Sequence, residues 1–272
     1  MGVPRKLTSF FFLLTIAAAV GFSALAQSSQ APAAARQPAA QIPAQAPLQT
    51  LPAQGELTVA PTIPPKKTLA VVILDPAHGG ADSGARGSTG IAESNVVLGY
   101  ARLLRISLEA QGLRAILTRQ TNDDPSFDDR SKIANAQRGS IFISLHVSST
   151  GQPGTVRVYS LPYPGASQLA ALPHHGGLLP WDRAQFEFID QSRRLAELIQ
   201  IQMAQRFRGT SDTPFEAPVR QLRTVGAPAV AIEVSSVSLS DRAPLDQIGP
   251  GLADGVARAV AAFRTIYESG GR

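Results

Sequence analysis

The chain has 272 residues, 44% of the composition hydrophobic and 17% charged, no cysteine, and a formal charge of +5 at pH 7. Without cysteine there is no disulfide frame, no lipidated cysteine and no thiolate metal site, so any bound metal must be held by His, Asp or Glu. The small positive excess comes without Lys/Arg runs or interleaved aromatics, which argues against nucleic acid as a partner.

Arg5 and Lys6 precede an apolar stretch over residues 10–25, which closes on Ala24-Leu25-Ala26 before polar Gln27. A positive start, an apolar middle and an A-x-A end predict a secretory signal over residues 1–26, removed after Ala26. The competing reading is a retained membrane anchor, because the run is nearly long enough to span a bilayer. Cleavage would lower the charge to +3, since residues 1–26 contain no acid, and would leave no membrane association. Residues 27–66 are built from Ala, Pro and Gln with no apolar period. Such a segment cannot bury enough surface to offset its ordering entropy and is expected to be a disordered, semi-extended linker.

From residue 67 strand and helix signals alternate, the mark of an α/β sheet. Residues 69–74, 141–145 and 229–232 are short apolar runs without alternation, which suits parallel strands covered on both faces. Residues 114–118 and 155–160 are further strands, the second placed near an edge. Val97, Tyr100, Ala101, Leu104 and Leu108 form a helical stripe stopped at Gly112. Leu195, Ile199, Met203 and Phe207 form another, and Leu252, Val256, Val260, Phe263 and Tyr267 a third; a shorter helix is predicted over 127–137. The expected fold is α/β: a single domain over 67–268, with a mostly parallel twisted sheet flanked by helices on both faces and a tail at 269–272.

Three of these strands run into residues that bind metal or move protons: Asp75 and His78, then His146, then Glu233. In open parallel sheets ligands gather beyond the carboxyl ends of the strands, so such residues can meet. Glu93 stands where the first helix begins. Two histidines and one carboxylate are a common set for catalytic zinc, with one position left for water or substrate. A spare carboxylate, Glu233, can then accept a proton as zinc-bound hydroxide attacks a carbonyl, which predicts hydrolysis of an amide or ester. Each residue also has a plainer reading: a hydrogen-bonded structural histidine, a Glu93 favoured by the helix N-terminus, glycines 79, 80 and 84 supplying only backbone freedom. Asp75 either orients a ligand or, more plainly, bonds loop amides.

The stretches "VVILDPAHGGADSGARG", "GIAESNVVLGYARLL", "LTRQTNDDPSFDDRSKIANAQRGSIFISLHVSS" and "APAVAIEV" resemble, in this order, the ordered motifs of the type-3 zinc-dependent N-acetylmuramoyl-L-alanine amidases, bacterial cell-wall hydrolases. The likeness covers nearly all of residues 69–265. It implies that His78, Glu93 and His146 hold Zn2+ and that Glu233 is the general base or acid. The bond cut would join the lactyl group of N-acetylmuramic acid to the L-alanine of the peptidoglycan stem peptide, in a periplasmic or extracellular setting. The chain departs from the family at Ala77, where glycine is preferred, at Val147-Ser148-Ser149 after the second histidine, and at "VSSVSLSD" after Glu233. Residues 161–182 are a candidate lid, on their Pro and Gly content and on Leu178, Leu179 and Trp181; His174 and His175 within it are extra ligands or simply solvated. A protein activator is a candidate partner, and the sequence does not speak to oligomeric state. Two rival functions share these residues: a peptidoglycan-binding or regulatory homologue without turnover, and a zinc peptidase or deacetylase acting on another amide.

Overall fold

A computed structural model describes residues 67–165, 180–238 and 241–270. The signal and linker expected over residues 1–66, His174, His175 and the larger part of the expected lid lie outside the described residues.

Six strands form one sheet: β1 (Val71–Pro76), β2 (Arg114–Leu117), β3 (Ser140–Ser148), β4 (Val156–Ser160), β5 (Phe215–Glu216) and β6 (Ala229–Ser235), in the order β2-β1-β3-β6-β4-β5. Strands β2, β1, β3 and β6 are mutually parallel, β4 runs antiparallel to β6, and two-residue β5 pairs parallel with β4. The helices are α1 (Glu93–Glu109), α2 (Phe127–Asn135), α3 (Ile189–Arg206), α4 (Arg220–Arg223) and α5 (Ala243–Glu268), with a 3-10 turn over Trp181–Phe188 before α3. The predicted α/β architecture is therefore the observed one. Among the described residues no helix is long and apolar enough to cross a membrane.

Local chemistry sets the helix ends. Ser126 caps α2 by accepting the Asp129 amide at 3.2 Å, and α1 stops at Glu109, three residues before Gly112, which turns the chain at φ 73°. The helix expected around residues 252–267 starts much earlier, at Ala243. Leu245 and Ile248 continue its buried stripe at three- and four-residue spacing, but Pro250 and three neighbouring glycines mask that pattern in the sequence. The helix accommodates Pro250 although proline supplies no amide hydrogen to the ladder.

Strand pleating divides the interior in two. Val72, Leu74, Ile143, Leu145 and Ile232 face a large core closed by α1, α3 and α5, while Val71, Ile73, Phe142, Ala229 and Ala231 face a smaller one with Ala134 of α2 and Leu222 of α4. Alternation with period two places Asp75, Ser144, His146 and Glu233 on the same side as the smaller core, toward the carboxyl ends of their strands. The helices of that side are short, so the apolar filling gives out and leaves a cleft. The strands also run further than their apolar segments: Asp75, His146 and Glu233 were expected where strands give out but lie inside β1, β3 and β6. A polar residue can hold its place in the backbone ladder when its side chain faces a site instead of the core.

Candidate metal centre and its neighbouring carboxylate

His146 is delivered by β3, whose partners on either side, β1 and β6, fix it by continuous parallel ladders. Register places Asp75 opposite Ser144 and Glu233 opposite His146. His78 arrives by a different route, two residues past β1, with φ 61° in the left-handed region that non-glycine residues seldom occupy. Two buried arginines hold that turn open. Arg119 donates to the carbonyls of Pro76 (2.8 Å), Ala77 (2.9 Å) and Ser94 (2.7 Å). Arg130 donates to those of Pro76 (3.0 Å) and His78 (2.9 Å) and to Asp75 Oδ1 (2.8 Å).

Glu93, the first residue of α1, stands between the two imidazoles. Its Oε1 lies 3.0 Å from His146 Nδ1 and its Oε2 lies 3.2 Å from His78 Nε2. Oε1 also accepts the Val147 amide at 3.0 Å and Oε2 the Ala85 amide at 2.8 Å. The reading in which Glu93 serves its own helix terminus is thus not what the structure shows; the carboxylate points across to β3 and to the turn. Burial alone would raise the Glu93 carboxyl, but the bonds from His146, His78 and Ala85 outweigh it and hold it well below the usual carboxylate range. The His78 imidazole is pushed up to about 9, chiefly by its bond to Glu93, with burial opposing and Asp82, at 2.7 Å from Nδ1, adding to the rise.

One ligand atom from each of His78, Glu93 and His146 falls within 4.8 Å of the others. Two imidazoles and one carboxylate in such a group are a donor set suited to zinc, with room for water or substrate. Gly84 makes the grouping possible: a Cβ there would stand 2.5 Å from both Glu93 Oε2 and His78 Cδ2. Its role therefore extends past backbone freedom to space beside the ligands.

Glu233 is outside this group. It sits one strand over, on the same face as His146, with Oε1 2.8 Å from Arg157 Nη2 and 3.3 Å from the Tyr159 hydroxyl, both on β4. Two clefts flank the centre and share His146 as a wall: one of about 410 Å³ that also holds His78, Asp82, Phe127 and Arg130, and one of about 270 Å³ that holds Glu233 and Tyr159.

Asp75 takes neither a loop amide nor a metal position. Its oxygens accept the Thr118 hydroxyl (2.6 Å), Arg130 and the Ser144 hydroxyl (2.9 Å), which corrects the plainer expectation of amide bonding. Ser144, Asp82, Arg157 and Tyr159 carried no signal of their own in the sequence. The available one was spacing: Ser144 and His146 are two apart on a strand, and Tyr159 and Arg157 alternate on another.

Residues 72–247, more than half of the chain, match the family described as N-acetylmuramoyl-L-alanine amidase. The chain is 38% identical over 103 residues to N-acetylmuramoyl-L-alanine amidase AmiA of Escherichia coli (strain K12), covering 37% of this chain and 36% of that protein. It is 39% identical over 106 residues to AmiC of Escherichia coli O6:H1, with 37% of this chain and 25% of that protein covered. The matched stretch thus spans about a third or less of these relatives' length. The solved structure of N-acetylmuramoyl-L-alanine amidase AmiC2 of Nostoc punctiforme superposes with a TM-score of 0.56 at 23% identity, over 71% of this chain and 96% of that one, which is a likeness of fold. With its motifs in order, its fold shared and its family match running through His78, Glu93, His146 and Glu233, the chain belongs to the N-acetylmuramoyl-L-alanine amidase family.

Proposed function

We propose that this chain is a zinc-dependent hydrolase of peptidoglycan that cuts the amide between the lactyl group of N-acetylmuramic acid and the L-alanine of the stem peptide. The observation that carries this reading is the convergence of His78, Glu93 and His146 from three separate elements beside an open cleft, with Glu233 one strand away. Zinc held by the three ligands would polarise the amide carbonyl and supply a hydroxide-like nucleophile near neutral pH. The chain's own contribution is to fix the three donors before metal arrives and to present Glu233 for proton transfer. The shortest contacts of Glu233 fall on Oε1, and among the described residues no hydrogen bond reaches Oε2. Oε2 is accordingly the oxygen free to take a proton from the nucleophile and return it to the leaving amine.

In the same reading residues 1–26 export the chain, residues 27–66 tether the 67–268 domain, and the enzyme works in the periplasm or outside the cell, with peptidoglycan as substrate and a protein activator as a candidate second partner.

Digestion of defined muropeptides by zinc-loaded protein tests the reading. Release of a glycan with a free lactyl carboxylate is the expected result. An absence of product from zinc-bound protein would favour a binding or regulatory homologue, and cleavage elsewhere a peptidase or deacetylase. Glu233→Gln should keep zinc and lose activity by about 10²- to 10⁴-fold, whereas His78→Ala and His146→Ala should lose zinc as well. Full activity in Glu233→Gln would remove the base role from this residue.

A further inference from the structure

Metal-binding histidines need one ring nitrogen bare, and the hydrogen bond made by the other decides which. His78 has a carboxylate on Nδ1, that of Asp82, and turns Nε2 to Glu93. His146 is oriented the opposite way round: Nδ1 faces Glu93, and Nε2 lies 3.3 Å from the Ser144 hydroxyl, with no carboxylate among the described residues hydrogen-bonded to it. Ser144 in turn lies 2.9 Å from Asp75 Oδ2, and both residues are buried.

The direction of this chain of bonds follows from counting hydrogens. Asp75 is ion-paired with Arg130 at 2.8 Å and accepts the Thr118 hydroxyl as well. A carboxylate so paired has no hydrogen to give, so the Ser144–Asp75 bond must use the hydrogen of serine. A hydroxyl has only one. Toward His146 the serine oxygen can then only accept, which requires a hydrogen on Nε2 and leaves Nδ1, which bonds Glu93 in the metal-free protein, as the nitrogen that a metal would take.

We propose that Asp75 and Ser144 act as a positioning relay that passes carboxylate character through a hydroxyl to His146 and selects Nδ1 as its metal-donor atom. The two histidines of the centre therefore present opposite nitrogens, His78 through direct contact with an exposed aspartate and His146 through a buried two-residue chain. The inference rests on the reading of His78, Glu93 and His146 as metal ligands and deepens it. It gives a role to the serine two residues before the ligand on the same face of β3: its hydroxyl accepts from the ring and donates to Asp75, carrying the chain of bonds on in one direction. Arg130 serves both ends, bonding Asp75 Oδ1 and the His78 carbonyl, so that one guanidinium ties the relay of one ligand to the turn of the other.

Long-range ¹H–¹⁵N correlation on zinc-loaded wild-type protein reads the coordinated nitrogen directly, and chelator competition reads affinity. The expected results are Nδ1 coordination at His146 and a loss of about 10- to 100-fold in zinc affinity in Ser144→Ala. Ser144→Thr, which keeps the hydroxyl, should restore affinity even if both variants melt at a similar, lower temperature than wild type. Coordination of wild-type His146 through Nε2, or equal zinc affinity in wild type and Ser144→Ala, would overturn the relay while leaving the metal reading intact. Failure of wild-type protein to take up zinc would overturn the metal reading together with the relay.

Discussion

The two histidines of the centre reach nearly the same point by unlike routes. His146 rides on a central strand whose neighbours on both sides fix its place through backbone hydrogen bonds, and any sequence that forms β3 in this register delivers it. His78 sits in a turn with a left-handed backbone, held by arginines 119 and 130 through carbonyl contacts. A ladder specifies position generically, whereas a loop must be specified by particular side chains. Damage to the turn should therefore cost more, residue for residue, than comparable damage beside the strand.

The sharpest break in that comparison is Gly79→Ala. Gly79 has φ 134°, and a Cβ there would collide with the backbone carbonyl of Asp123, which cannot swing aside as a side-chain tip can. One added methyl should destabilise the protein by more than about 3 kcal/mol, the range of strain at a special backbone conformation combined with overpacking, and should abolish zinc binding. Equilibrium urea unfolding measures the first and chelator competition the second. A near-neutral result would mean that the turn is plastic and that the arginines are not what holds it.

An intermediate effect comes from pH in the metal-free protein. The folded-state value of His78 is raised from 6.5 to about 9, so the stabilisation from its contacts with Glu93 and Asp82 is fully present below 6.5 and is lost as pH rises through about 9. The Glu93 carboxyl is depressed, so its share is present above its ordinary value of 4.5 and is lost on acidification. These two groups together favour a stability maximum between 4.5 and 6.5 in the presence of chelator. Thermal melts across pH 5 to 9 should fall on the alkaline side for wild type and flatten there for His78→Gln. A wild-type profile that is flat from 6.5 to 9 would mean that His78 is not held by Glu93 when metal is absent.

The same contrast explains what could be read from the sequence. Strand and helix existence followed from apolar runs and stripes, because burial on both sheet faces leaves that mark directly: Leu104, Leu108, Ile199, Val256 and Val260 are all fully buried as expected. Strand ends did not follow, since Asp75, His146 and Glu233 continue the ladder with polar side chains that no hydrophobic count includes. The start of α5 was hidden by Pro250 and its glycines. Within the site, the titratable residues stood out by type: His78, Glu93 and His146 come together, and Glu233 lies opposite His146 on the neighbouring strand. The supporting set was not legible. Ser144 is one serine among many, Arg119 and Arg130 act through carbonyls that every residue possesses, and the ion pair of Arg157 with Glu233 joins residues 76 positions apart, by subtraction of their numbers, through an antiparallel register that only the fold supplies.

That ion pair gives the smallest effect on stability and sharpens the comparison from the strand side. Arg157 and Glu233 lie directly opposite each other on β4 and β6, and each side chain is partly exposed, at 32% and 26%. A pair so accessible to water contributes about 0 to 1 kcal/mol, because solvent screens the attraction and each long side chain loses rotamer freedom. Arg157→Gln should thus leave the melting temperature nearly unchanged and zinc affinity intact, since neither ligand nor turn touches the guanidinium. Turnover is a separate matter. Arg157 and the Tyr159 hydroxyl both bind Oε1, and their joint grip fixes the carboxylate beside the cleft that Glu233 lines with Tyr159 and His146. Losing the guanidinium leaves only a 3.3 Å hydroxyl contact, so the carboxylate spends less time in the productive orientation and kcat should fall with KM little altered. Steady-state kinetics on a soluble muropeptide separate the two parameters. A rise in KM at constant kcat would instead assign Arg157 to substrate binding, and the strand-borne carboxylate would then need no side-chain support of its own, just as His146 draws its position from the ladder.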